Sequence, residues 1–284
     1  MRTTRFPSSL SRPVSRAGFF PCYRSQSKPP RSAIWSILPT ALGKLLNLPH
    51  TIGLILVPVL LFTVQSVPGQ STIPRLTDSF SSYANRTGIC FVDSTTIGRW
   101  QMVYNGYGCN KFEPVNGNIV LHLAPKAAVR AAETHACLVL GQSFTGNYSY
   151  SVDVTTKDQL RKNSPPNPWE VGWVVWDYSN EGTEKFYYFA PKPNGWELGK
   201  RDWAYPGGQH FLTSGTTPTT PIGKARRAKV IQKWEPLPGA LTIWVYLDGI
   251  QITRFTDRQR PYPGGKIGFY TEDAHVHFDN VAVY

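Results

Sequence analysis

The sequence predicts an all-β protein, an antiparallel two-sheet β-sandwich behind an N-terminal leader, on three observations. Short runs of alternating apolar and polar residues recur through the C-terminal two thirds of the chain, punctuated by Gly, Pro, Asn or Asp. No stretch in that region carries the 3.6-residue apolar stripe of a useful helix. The composition suits pleated, half-buried surface: 13% aromatic, only 17% charged, with 24 Gly and 24 Pro for turns.

The alternation begins near residue 97. Residues 99–104 form the first candidate strand and end at Asn105-Gly106, and residues 118–123 and 134–140 follow. Residues 148–155 give the clearest half-buried strand, with Tyr148, Tyr150, Val152 and Val154 alternating with Ser149, Ser151, Asp153 and Thr155. Residues 171–178 are a denser apolar run. Residues 185–190, 196–200 and 210–213 come next, separated by Asn194-Gly195 and Gly207-Gly208. Residues 228–234 alternate again. Residues 241–247 and 250–255 flank Asp248-Gly249, the kind of pair that a two-residue type I′ hairpin turn demands. Gly264-Gly265 leads into 266–270, and 276–284 closes the chain. About twelve such strands fit one sandwich or jelly roll. The expected division is a leader at 1–69, a linker at 70–88 and the domain at 89–284.

Charge separates the leader from the rest. The chain has a formal net charge of +12, yet residues 1–69 hold eight basic residues and no acidic one. Removing them leaves 22 basic and 18 acidic groups, a net of +4, so the basicity gives no support for nucleic-acid binding. Residues 51–67 are an uncharged apolar run followed by Pro68-Gly69, which reads as a secretory signal cleaved after about Gly69. The preceding basic stretch is longer than an ordinary signal, so a start placed too early and an organelle transit sequence both stay open. An uncleaved anchor is the third option, although the run is shorter than the ~20 residues of a spanning helix and contains Pro58. Under the signal and anchor readings the domain lies outside the cytoplasm, extracellular or periplasmic, with membrane contact confined to the N-terminal segment.

That location permits disulfides. Cys90 and Cys109 are close in sequence, flank one predicted strand and are expected to pair, leaving Cys137 as a buried strand thiol.

Two segments carry a family likeness. Phe91-Val-Asp93 with Gly98-Arg-Trp100 resembles the opening strand of concanavalin A-like jelly rolls. Gly265-Lys-Ile-Gly-Phe-Tyr270 with 276–283 resembles their last two strands. This superfamily includes laminin-G-like modules, legume lectins, retaining endoglucanases and bacterial secreted domains known as 3-keto-disaccharide hydrolases, the last being nearest in style. The resemblance implies a glycan ligand, a polysaccharide or oligosaccharide, and often a structural calcium ion. If the domain termini meet, Asp93 and Asp279 are the expected calcium ligands. The Glu-x-Asp-x-x-Glu strand of the retaining glucanases is absent; residues 171–178 offer only Asp177.

The middle of the chain carries the candidate site. Sugar rings present apolar C–H faces that stack on flat aromatic rings, while their hydroxyls need paired donors and acceptors. Arg161, Trp176, Tyr188, Lys192, Trp196, Lys200 and Trp203 supply both chemistries and are the expected ligand-binding residues. Trp173 is expected in the core, together with Phe186 or Tyr187. Glu170 and Glu197 are the expected acid/base pair if the domain is a glycoside hydrolase. A lyase would use Arg161, Tyr188 and His210. Residues 224–229 are a basic run, expected as a solvated edge. His275 and His277 alternate on one strand, and without a third ligand no metal site is assigned to them. The expected function is glycan binding, with a glycoside hydrolase or lyase as one alternative and a structural envelope protein as another.

Overall fold

A computed structural model describes residues 73–236 and 239–284. The leader at 1–69, with its apolar run and expected cleavage, lies outside the described residues. Among those described there are sixteen strands. They are β1 (Leu76–Asp78), β2 (Thr95–Ile97), β3 (Trp100–Tyr104), β4 (Cys109–Val115), β5 (Asn118–Ala124), β6 (Ala136–Thr145), β7 (Tyr148–Gln159) and β8 (Gly172–Ser179). Then come β9 (Lys185–Lys192), β10 (Gly195–Asp202), β11 (Gln209–Gly215), β12 (Arg226–Trp234), β13 (Leu241–Leu247), β14 (Ile250–Asp257), β15 (Gly264–Glu272) and β16 (Ala274–Val283).

The strands form two antiparallel sheets. The back sheet runs β14-β13-β12-β7-β16-β5-β4, with β1 also paired to β16, and the front sheet runs β11-β10-β9-β8-β15-β6-β3-β2. This is the expected two-sheet sandwich. The Asp248-Gly249 hairpin forms as read: Leu247 pairs with Ile250, and both turn residues have positive φ, 53° and 81°. Cys90 and Cys109 are disulfide-bonded, and Cys137 is a buried free thiol.

From residue 73 on, the segment expected as a linker instead belongs to the domain. Leu76 and Asp78 of β1 pair with Val283 and Val281 of the closing strand. A 3-10 helix follows at Ser81–Arg86. Phe80 is wholly buried, and Tyr83 stacks on Phe112 at 4.2 Å. Asp78 locks this corner, accepting from Trp100 Nε1 (2.9 Å) and from the Phe80 amide (2.8 Å). Three elements this short or irregular lack a clear alternation: β1 and β2 have three residues each, and β4 carries Pro114, which a strand on the outer edge of a sheet tolerates.

The core lies between the sheets. Trp176 and Tyr187 stack there at 5.6 Å, and Phe269 on Phe278 at 4.5 Å. Trp196 and Leu198 point into the same layer. Two expectations are reversed by this packing. Trp176 and Trp196, expected to meet ligand, are 0% and 5% exposed within the inter-sheet core. Trp173, expected in that core, belongs to a second apolar cluster with Phe186 and Tyr188 on the other face of the front sheet, whereas Tyr187 is in the first. The reason is local. Residues 171–178 are apolar at both alternations, so period two assigns neither face. The basic run at 224–229 is not an edge either. Its strand β12 sits between β7 and β13, with Arg226 paired to Asp248 (2.6 Å) and Arg227 to Asp153 (3.1 Å).

Asp177 bridges the two sheets. Its φ of 51° marks the irregularity in β8 where pairing to β9 and β15 shifts. The carboxyl is fully buried and accepts from Tyr148 Oη at 2.6 Å. Burial pushes it up to about 7, against the hydroxyl that favours its ionised form.

Truncation of the inter-sheet aromatic layer should be costly: Trp176→Ala is expected to lose about 3–5 kcal/mol in denaturant unfolding. The raised Asp177 fixes a pH trend. The folded state holds this proton to higher pH than the unfolded chain, so the ionised carboxylate costs stability as pH climbs from about 4 to about 7. Asp177→Asn should therefore gain on wild type across that window, by up to about 4 kcal/mol, and keep a constant gap below it. Parallel stability–pH curves for the two proteins would refute the assignment.

Candidate functional site on the outer face of the front sheet

Register builds this face in rows. Leu138, Tyr270 and Trp173 are Cα partners across β6, β15 and β8, and Ala190 faces Glu197 across β9 and β10. The neighbouring row runs Leu140, Gly268, Val175, Tyr188, Gly199 and Phe211. Side chains two apart on each strand share the face, so Trp173 stacks on Tyr188 at 4.4 Å and 28°, with Tyr270 5.1 Å from Trp173. Gly199 makes this possible. A Cβ there would stand 2.3 Å from Tyr188 Oη, so the tyrosine lies flat across bare backbone.

A polar network borders the rings. Tyr188 Oη donates to Glu197 Oε1 (2.7 Å) and accepts from Gln209 Nε2 (2.6 Å), and Lys192 Nζ donates to Glu197 Oε2 (2.8 Å). On the other side of the rings Tyr270 Oη donates to Glu272 Oε1 at 2.6 Å. Burial pushes the Glu272 carboxyl up to about 7, so it holds a proton close to neutrality. Burial likewise raises Tyr188, reinforced by the charge of Glu197.

Around these buried groups three rings face solvent. Trp203 is 52% exposed, with the Arg201 guanidinium 4.1 Å from its ring. Phe211 is 61% exposed on the edge strand. Trp169 is 42% exposed, and its carbonyl accepts from Trp173 Nε1 at 2.9 Å, which joins it to the stacked pair.

Tyr188 and Lys192, expected to bind ligand, meet Glu197 of the expected acid/base pair in one network, and Trp203, also expected to bind ligand, is an exposed ring beyond it. Arg161 and Lys200 are committed elsewhere. Lys200 points to the inner side of the front sheet, fully buried, and pairs with Asp257 at 2.7 Å. Arg161 Nε contacts Glu170 Oε1 (2.5 Å), Nη2 contacts Asp273 (2.8 Å), and Nη1 donates to the carbonyls of Arg130, Ala131 and Glu133. Glu170 is thus tied to Arg161 before the start of β8, while Glu197 is tied to Lys192 on β10, so the expected acid/base pair is not assembled. The second oxygen of Glu170, Oε2, is buried without a hydrogen-bond partner. His210 packs on Tyr205 at 4.2 Å, so the lyase trio is dispersed too.

The expected calcium pair is also parted. The strand that meets β16 is β1, not the segment around Asp93. Phe91 bridges to Asn110 of β4, and β5 lies between β4 and β16, which puts that segment about 14 Å from β16 at ~4.8 Å per strand. Asp279 instead accepts from Asn118 Nδ2 (2.5 Å) and the Asn280 amide (2.6 Å).

Sequence reasoning missed Gln209, Phe211, Trp169 and Glu272. Glu272 had a usable signal, because it follows Tyr270 by two on an alternating strand. Trp169 and Gln209 had none, since each owes its place to a loop or to an edge strand that only register locates.

No family model matches the chain, and no curated protein matches it. Among solved structures, the carbohydrate binding module CBM66 from Bacillus subtilis is similar at 15% identity and a TM-score of 0.45, covering 70% of this chain and 96% of that one. A glycoside hydrolase family 16 protein of the Bacteroides ovatus mixed linkage glucan locus is similar at 8% identity and a TM-score of 0.47, covering 74% and 99%. A Lotus tetragonolobus seed lectin is similar at 12% identity and a TM-score of 0.41, covering 69% and 97%. At these identities the ligand chemistry has to come from this chain's own side chains.

The Arg161 cluster predicts a stability effect distinct from any binding effect. Removing the cation leaves the Glu170 and Asp273 carboxylates buried and uncompensated, and Arg161→Met is expected to cost about 3–5 kcal/mol in chemical denaturation. A loss under 1 kcal/mol would mean that the cluster does not hold the loops together.

Proposed function

We propose that the chain is a secreted glycan-binding protein that takes a polysaccharide or oligosaccharide along the outer face of the front sheet. The observation that carries this reading is the exposed Trp203 ring, covered on one side by the Arg201 guanidinium, just past the end of β10, which with β9 and β11 carries the Glu197–Tyr188–Gln209 network. A sugar ring stacks its C–H face on such an indole, and its hydroxyls pair with the carboxylate, amide and ammonium of Glu197, Gln209 and Lys192. Phe211 and Trp169 extend the aromatic surface. No bond needs to break for this function, which agrees with an arrangement of rings fixed by packing. The Cys90–Cys109 disulfide supports an oxidising compartment outside the cytoplasm, as the leader does. A net of +4 over residues 70–284 favours neutral partners over nucleic acid.

Glu272 favours one second reading, a glycoside hydrolase. A carboxyl still protonated near neutral pH is what a general acid needs; Glu197 shares the face but sits on β10, three strands from β15, so its backbone stands about 14 Å away at ~4.8 Å per strand. Glu272→Gln abolishes turnover under this reading and leaves binding intact under the first.

A polysaccharide array probed with the full-length protein, with product analysis by chromatography, separates the two. Trp203→Ala is expected to weaken glycan retention about tenfold or more while shifting the melting temperature by less than about 2 °C, since the ring is half exposed. Unchanged retention in Trp203→Ala and Phe211→Ala together would remove the glycan from this face.

A further inference from the structure

The outer face of the back sheet carries a different chemistry. His275 and His277 share one side of β16, and the antiparallel register supplies what that strand lacks. His277 and His122 are Cα partners across β16 and β5, and Lys111 of β4 is the Cα partner of His122 on the other side. Glu113, two residues on, shares that face. Its Oε2 hydrogen-bonds His122 Nδ1 and lies 3.6 Å from His277 Nε2. The two imidazole rings stand nearly perpendicular with centroids 4.7 Å apart.

One potential ligand atom from each of Glu113, His122 and His277 lies within 4.8 Å of the others. Ligands around a tetrahedral zinc ion, with bonds of about 2.0–2.1 Å, stand roughly 3.3 Å apart, a contraction within reach of side-chain rotation. A second observation points the same way. His122 is buried, and its Nε2 has no hydrogen-bond partner. A buried polar atom left so is costly, and the ring stays unsatisfied until a ligand turns or engages it.

We propose that Glu113, His122 and His277 bind one divalent transition-metal ion of the zinc kind, with the remaining coordination position open. Two imidazoles and one carboxylate suit Zn2+ and not Ca2+, which wants six to eight oxygens. The ion joins the outermost strand β4 to β16 across β5, and by binding only the folded register it stabilises that register through mass action. Lys111 Nζ, 3.6 Å from Glu113 Oε1, opposes the incoming charge and limits the affinity. His275 stands edge-on to His122 at 5.3 Å and 3.7 Å from Asp158, outside the ligand set.

The full-length protein, stripped with chelator, is titrated with Zn2+ and with Co2+ as a visible probe. Expected are one ion per chain, a rise in melting temperature reversed by chelator, and a Co2+ absorption band displaced by Zn2+. His122→Ala and His277→Ala should each weaken Zn2+ binding on the order of 100-fold, since even outer-shell changes cost tens of fold. His275→Ala should leave it unchanged, and Lys111→Met should tighten it. Because His122 is buried, the double variant Glu113→Gln/His277→Asn serves as a second probe, its metal-free melt confirming that it folds. Equal zinc uptake by that folded variant and wild type, or no stoichiometric uptake by wild type, overturns the site.

Discussion

The front sheet has apolar side chains on both of its faces, and most of the structure follows from having to shield both from water. Burial of an aromatic side chain is worth a few kcal/mol, and β8 and β9 each present such rings alternately inward and outward. The inner set, Trp176, Tyr187, Phe189 and Phe269, packs against the back sheet. The outer set, Trp173, Tyr188, Phe186 and Tyr270, packs ring on ring across the register rows. The outer layer is therefore rigid before any ligand arrives, and it leaves its polar groups only at the borders. Glu197 and Gln209 reach Tyr188 because Gly199 lets that ring lie across the backbone.

Buried charge fixes what apolar packing leaves undetermined. Dispersion forces tolerate several arrangements of loops at a sheet end, but a guanidinium out of water tolerates few, because each donor must find an acceptor. Arg161 gathers the 130–133 loop, Glu170 and the β15–β16 turn at Asp273, and so sets the start of β8 beside the exposed Trp169. Lys200 does the same on the inner side, its ammonium paired with Asp257 and surrounded by Tyr187, Tyr205 and Tyr262. Two of the cations expected at a ligand are thus framework, and the geometry near the site rests on them.

The two outer faces of the sandwich divide by chemistry. The front face offers rings with a border of hydrogen-bonding groups, suited to a neutral polyhydroxylated ligand. The back face between β4 and β16 offers imidazoles around one carboxylate, suited to a small cation. A mainly apolar core separates the sheets, so the two proposed sites stand apart, and a change on one face reaches the other only through packing.

Alternation, turn residues and charge distribution were enough to determine that residues beyond the leader form an antiparallel sandwich, that Asp248-Gly249 makes a tight hairpin, and that Cys90 bonds Cys109. These are local properties, or nearly so: period two and φ preference act within a few residues, and the two cysteines flank one strand region. Tyr188, Lys192 and Glu197 were also legible, because they sit on adjacent strands of one hairpin. Which face Trp173 and Trp176 take was not, since residues 171–176 have apolar side chains at both alternations and so no preferred side. Nor was the fate of Arg161 or Lys200, which pair with Asp273 and Asp257, 112 and 57 positions away in sequence. Asp93 and Asp279 were placed together on the premise that the domain opens at residue 89, and β1 displaced that premise by taking the edge of β16. His277 acquired His122 and Glu113, 155 and 164 positions away, only in the folded register, because side-chain neighbours in a sheet are decided by which strands align, and that alignment is a property of the whole core.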